Sequence, residues 1–112
     1  MEYSNYGKAN RRIERWAKNE NQINHKIVYA YFICIENEGF ATIEYMRKLC
    51  SNKNDKTLYV EKFNENYANM KTDAAHSHGK VFEDDKNKVW IWSVVEPTLL
   101  KYKSEFMKVK KG

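Results

Sequence analysis

Lys80-Val81-Phe82-Glu83-Asp84-Asp85-Lys86-Asn87-Lys88-Val89-Trp90-Ile91-Trp92 is the stretch whose reading decides the fold. Two runs of β-branched and aromatic residues alternate with charged ones. Asp84-Asp85-Lys86-Asn87 lies between them. Alternation with period two marks half-buried strands, and Asp and Asn are turn residues. The pattern predicts a hairpin with a four-residue turn. In that register Phe82 pairs with Val89 and Lys80 with Ile91, while Glu83 pairs with Lys88 and Val81 with Trp90. The second strand is expected to continue to Val95. Glu96-Pro97 then stops it, and Pro97 suits the first turn of a following helix.

The residues before the hairpin have a helical period. Ile23, Ile27, Ala30, Tyr31, Cys34 and Ile35 recur at helical spacing and predict a long helix to about Asn37. Val28, Phe32 and Ile33 widen its apolar arc, so most of its sides should be buried. Gly39 suits the C′ position of that helix, and Phe40 is expected to re-enter the core. A second helix opens at Ala41 or Thr42, with Ile43, Met46, Leu49 and Cys50 inward. Asp55 is a good N-cap for a third helix to about Met70, whose inner stripe is Leu58 or Tyr59, then Phe63, Tyr67 and Met70. Outside this set, residues 1–8 read as a flexible arm and Asn10 to Lys18 as a short helix burying Ile13, Trp16 and Ala17. A last helix carries Leu99, Leu100, Tyr102, Phe106 and Met107 into the basic tail that closes residues 97–112.

The 112 residues fit one domain, 1–112. Hydrophobic residues are 42% and aromatics 14%, enough for a small core and against disorder. No apolar run approaches the roughly 20 residues of a membrane span, and the N-terminus has no signal pattern. A cytoplasmic protein is expected, with Cys34 and Cys50 reduced and buried on helices. The formal charge of +5 favours an anionic partner.

Nothing in the chain reads as catalytic. There is no glycine-rich phosphate loop, no nucleophile elbow and no Walker lysine. His25, His76, His78, Cys34 and Cys50 lack zinc-ligand spacing, and Glu83-Asp84-Asp85 reads as turn chemistry. The expectation is a protein that is not an enzyme and takes no cofactor and no metal.

Helix, helix, helix, hairpin over Ile27 to Val95 resembles the winged helix-turn-helix superfamily. The resemblance implies an α+β fold, mostly helical, with a C-terminal two-strand wing and flanking terminal helices around a core at 23–96. It also implies binding of double-stranded DNA. The Asn-, Lys- and Tyr-rich, Pro-poor composition looks like that of low-GC Gram-positive bacteria. Within that group the chain is similar to the TcpK-type accessory relaxosome proteins of clostridial conjugative plasmids. That similarity implies a homodimer acting beside a relaxase at an origin of transfer during conjugation. It further implies contact largely through the wing, at Lys80, Lys86, Asn87 and Lys88.

Other candidate contacts are Arg11, Arg12 and Arg15, within a segment from Lys8 to Lys18 that carries five cations against Glu14 alone. Asn52, Lys53, Lys56 and Thr57 lie at the turn into the third helix, where outward Lys62, Asn64, Asn66 and Asn69 could reach base edges. Residues 55–73 nevertheless carry three lysines against four carboxylates, a net −1 that disfavours deep insertion in a groove. A second cationic cluster is Lys101, Lys103, Lys108, Lys110 and Lys111 against Glu105. Trp90 and Trp92 are either a partner surface or core. Two alternatives stand beside the transfer-origin role. One is a winged-helix transcriptional regulator reading bases with its third helix. The other is a phage or mobile-element protein-interaction module using the aromatic hairpin.

Overall fold

The structure is a computed structural model that describes residues 6–108. These residues form a mixed α+β fold of six α-helices and a three-stranded antiparallel sheet. The core is organised around α2 (Ile23–Glu38), which buries Ile27, Val28, Ala30, Phe32 and Cys34 almost completely. A helix apolar on most sides is stable only at the centre of a core. Ile23, expected on the inner face, is exposed at the helix start. Gly39 ends the helix in the left-handed conformation, φ 80°, with its N–H donating to Ile35 O at 2.9 Å.

The chain then forms β1 (Ala41–Thr42), too short for a period-two pattern to reveal. Ala41 is buried. Phe40, expected in the core, is instead exposed, in the bend between Gly39 and β1. Thr42 caps α3 (Ile43–Cys50), its Oγ1 accepting from Tyr45 N–H at 3.0 Å. Met46 and Cys50 are fully buried, with Ile43 and Leu49 packed at the margin.

The third helix is much shorter than predicted: α4 covers only Phe63–Asn69. Asp55 does act as a cap, but for a single turn. Its Oδ1 accepts from Thr57 N–H, and its carbonyl from Leu58 and Tyr59 N–H. Leu58 and Val60 are then both buried with Tyr59 between them. A spacing of two puts side chains on one face of an extended chain, not of a helix. Val60 N–H donates to Cys50 O at 2.9 Å, folding this segment back on α3. Phe63 and Tyr67 stack as the inner stripe of α4, with centroids 5.6 Å apart.

The hairpin is β2 (Phe82–Asp85) and β3 (Lys88–Ile91), and the sheet order is β1-β3-β2. Its turn has two residues, Lys86 and Asn87, rather than four. The register is therefore Phe82 with Ile91, Glu83 with Trp90, Asp84 with Val89 and Asp85 with Lys88. Asp84 is held in the strand by Tyr67 Oη and Lys71 Nζ, each at 2.8 Å. A shift of two preserves the faces, so Phe82, Val89 and Ile91 point inward and Trp90 outward. β3 ends at Ile91, short of the expected Val95. Trp92 N–H still reaches Val81 O at 2.7 Å before residues 93–95 turn and bury Val95.

At the other end of the chain, the expected first helix splits into a 3-10 turn (Lys8–Arg11) and α1 (Ile13–Ala17). Residues 6–8 are not a loose arm. Gly7 N–H donates to Asp73 Oδ2 at 3.0 Å, and buried Lys8 donates through Nζ to Ala74 O. Gly79, at φ 123°, lies so close to Ala9 that a Cβ would sit 3.0 Å from the Ala9 Cβ. The last helix breaks at Tyr102 into α5 (Glu96–Lys101), with Pro97 in its first turn, and α6 (Lys103–Met107). Leu99 and Phe106 enter the core. Residues 1–5 of the expected arm, and Lys110 and Lys111 of the tail, lie outside the described residues. Among the described residues no helix is long and apolar enough to cross a membrane.

Candidate nucleic-acid interface

The hairpin candidates divide into two free and two engaged side chains. Lys86 and Lys88 are exposed. Asn87 turns back on α3: its carbonyl accepts from Ile43 N–H at 2.8 Å and its Oδ1 from Glu44 N–H at 3.1 Å. Lys80 is half-buried, 3.2 Å from Glu83 Oε2 and 4.7 Å from the centroid of the Trp92 ring. Tyr6 packs edge-on against the same indole at 5.4 Å. Trp92 is thus covered and packs at the core margin, while Trp90 stays 40% exposed.

A second group of cations surrounds the α3–α4 junction. A groove of about 430 Å³ there is lined by Arg47, Lys53, Tyr59, Lys62 and Asn64, among others. Arg47 Nε donates to Asn64 Oδ1 at 2.9 Å, joining the two helices. Asn52 and Thr57 serve the turn itself. Asn52 Oδ1 accepts from Asn54 N–H, and the Thr57 hydroxyl donates to Asp55 Oδ1. Lys48, Lys53, Lys56 and Lys62 are exposed, and none forms an ion pair among the described residues. From Arg47 to Lys62 there are five cations against Asp55 and Glu61, a surplus of three.

Arg47 and Lys48 are the residues that sequence reasoning missed. Their signal was present: both sit in the last turn of a helix whose inner stripe, Met46 and Cys50, leaves them outward, just before a polar turn. Cations are favourable near a helix C-terminus. On α4 itself the potential base readers are partly used up. Asn66 Nδ2 donates to Lys62 O and Asn69 Nδ2 to Glu65 O, both within their own helix.

α4 is locked to the hairpin by Tyr67, Asp84 and Lys71. Burial pushes the Tyr67 hydroxyl up from its ordinary range, and its bond to Asp84 adds to this. Burial alone would raise Asp84. Hydrogen bonds from Lys71 and Tyr67, with the Lys71 charge, outweigh it and hold the carboxyl low. The Asp84 charge is thereby consumed inside the fold.

The third group is N-terminal. Arg11 and Arg15 are exposed, and Arg12 is half-buried with Nη1 donating to His78 O at 2.8 Å. These positions lie on the 3-10 turn, on α1 and between them. The thiols are chemically quiet: burial pushes Cys34 to about 11 and Cys50 to about 12. Both stay protonated at neutral pH and are poor nucleophiles. The residues expected to contact DNA thus fall on three separate surfaces, and Asn87 ties the hairpin directly to α3. No family model, curated protein or solved structure matches the chain.

Proposed function

We propose that the chain is a winged helix-turn-helix domain that binds double-stranded DNA and has no catalytic role. The element order α2-β1-α3-α4-β2-β3 and the sheet order β1-β3-β2 support the fold assignment. The observation that carries the binding assignment is the set of exposed, unpaired lysines at the α3–α4 junction, with Lys86 and Lys88 on the hairpin. Such lysines neutralise phosphates and release counterions, which supplies affinity without sequence information. With Lys80 and Asn87 engaged internally, the hairpin offers two free cations. The junction offers the larger share. Base reading by α4 would be limited by its length of seven residues and by its self-bonded asparagines.

The accessory role beside a relaxase at a plasmid origin of transfer rests on the resemblance in sequence. Trp90 and Phe40, both exposed, supply apolar surface for such a protein partner. Fluorescence anisotropy with duplexes across a salt series tests the primary reading. Affinity should fall with salt, with a slope of about −0.9 per phosphate neutralised. Lys53→Ala with Lys56→Ala should weaken binding at least as much as Lys86→Ala with Lys88→Ala. No duplex binding at about 50 mM salt would refute the proposal. Footprinting on origin and promoter fragments separates the transfer role from transcriptional control.

A further inference from the structure

A polar cleft of about 170 Å³ opens where α1 meets the start of α2, lined by Arg12, Arg15, Trp16, Gln22, Asn24 and His78. No carboxylate lines it. Arg12 is fixed in place by its bonds to the carbonyls of His78 and Ser77, which leave other guanidinium donors available. Arg15 is exposed and forms no ion pair among the described residues.

The cleft also receives the N-terminus of a 16-residue helix. The first bond of α2 runs from Lys26 N–H to Gln22 O, so the N–H groups of Ile23, Asn24 and His25 have no acceptor within the helix. Gln22 provides no side-chain cap, and no acidic residue occupies the first turn. Gln22 Oε1 is buried without a partner, and a half-turn of that amide would present its Nε2 donor to the same space. The Asn24 side chain, nine-tenths buried, makes only a long 3.4 Å contact with His78 Nδ1. Two guanidinium groups, side-chain amides and a helix N-terminus suit a tetrahedral oxyanion; Glu20, close enough to act on His25, lies outside the lining.

The cleft and the junction described above are linked through α2. One turn along α2, Lys26 Nζ lies 3.4 Å from Tyr59 O, and Tyr59 lines the α3–α4 groove beside Lys53 and Lys62. Gln22, which lines the cleft, and Lys26, which meets the junction through Tyr59, are thus one turn apart on the same helix. We infer that the cleft binds a phosphate group, and that in the DNA complex this is a backbone phosphate of the same duplex. The second half of the inference rests on the DNA-binding reading; the first half does not.

The test is amide NMR of the full chain, titrated with inorganic phosphate, with chloride at matched ionic strength, and with a short duplex. Anisotropy of Arg15→Gln and Arg15→Lys runs alongside. Thermal melting of Arg15→Gln is expected to match the parent, because the side chain is exposed. Shifts at Ile23 and Asn24 with phosphate and duplex but not chloride support the inference. So does a fall of about 0.9 in the salt slope for Arg15→Gln, with Arg15→Lys retaining it. Duplex binding with the parent slope and no shift at Asn24 overturns the cleft while leaving the DNA reading intact. Phosphate shifts without duplex binding keep the cleft as a free-phosphate site and refute the DNA reading. Equal shifts with chloride and phosphate mean an adventitious ion only, and overturn the inference.

Discussion

Asn87 Oδ1 accepts a hydrogen bond from the Glu44 N–H at 3.1 Å, so the tip of the hairpin caps the first turn of α3. Together with Thr42 Oγ1 on Tyr45 N–H, this satisfies orphan donors that a helix start leaves open. The hairpin tip and α3 thus act as one unit. A phosphate held by Lys86 or Lys88 would be held in register with the junction at the other end of α3.

Asn87→Ala should destabilise the fold by about 1 kcal/mol, the usual cost of losing a capping side chain. Asn87→Asp retains the acceptor and should keep most of the stability. Urea unfolding of the two variants checks this. Equal losses would mean that the side-chain bond contributes nothing.

Lys86 occupies the first turn position with φ 60°, where a hairpin of this length favours Gly. Lys86→Gly should relieve about 1 kcal/mol of backbone strain while removing one phosphate contact. Stability should therefore rise as DNA affinity falls. A variant that binds DNA as tightly as the parent would remove Lys86 from the interface.

His25 is buried between Tyr29 and Phe106 with Nδ1 unpartnered. Burial pushes its pKa down; nearby Glu20 opposes this and Lys26 adds to it. The folded state favours the neutral ring, so this contribution is present above about pH 6.5 and lost as pH falls toward the folded value. The slope from this one group is at most about 1.4 kcal/mol per pH unit. His25→Leu should flatten the fall in urea stability between neutral and mildly acidic pH. An unchanged slope would assign the acid sensitivity elsewhere.

Cys34 and Cys50 should react with a thiol reagent only when the protein unfolds, since both are buried and protonated at neutral pH. The labelling rate should follow denaturant concentration. Fast labelling of the native chain would contradict the burial.

Phe106 is fully buried against His25 and Phe32, so Phe106→Ala should cost about 3–5 kcal/mol in the folding of the single chain. Among the described residues of the terminal helices, Leu100 is the one strongly exposed large apolar side chain. If the chain self-associates through them, Leu100→Glu should abolish association with little effect on folding. Sedimentation of the parent and both variants separates the two roles.

The long-period features were legible in the sequence. The central helix and the inner face of α3 follow from repeated apolar spacing, whereas on the hairpin the alternation grouped Phe82, Val89 and Ile91 on one face and left open whether that face or the one with Trp90 turns inward. What escaped was set by single contacts. β1 has two residues and exists because Ala41 and Thr42 meet Val89 and Lys88. The turn length depended on Asp84 being stabilised in the strand by Tyr67 and Lys71, which lie on and just beyond α4. Residues 55–62 carry helix-compatible composition, yet burial of both Leu58 and Val60 draws them out. For the candidate site, composition located the lysines, but which of them are free could be known only once Glu83, Trp92 and the α3 backbone were in place.

The N-terminal segment is bonded to a loop 66 residues later in the chain, through Gly7 to Asp73 and Lys8 to Ala74. On the ribosome this has a temporal consequence. At roughly 5–20 residues per second, the first segment waits about 3–13 s for its acceptors to be synthesised. During that interval Ile13 and Trp16 have only a partial core to enter. Docking of Gly7 and Lys8 then waits until residues 73 and 74 have been made, and the loop that leads into the hairpin lacks these two anchors until it occurs.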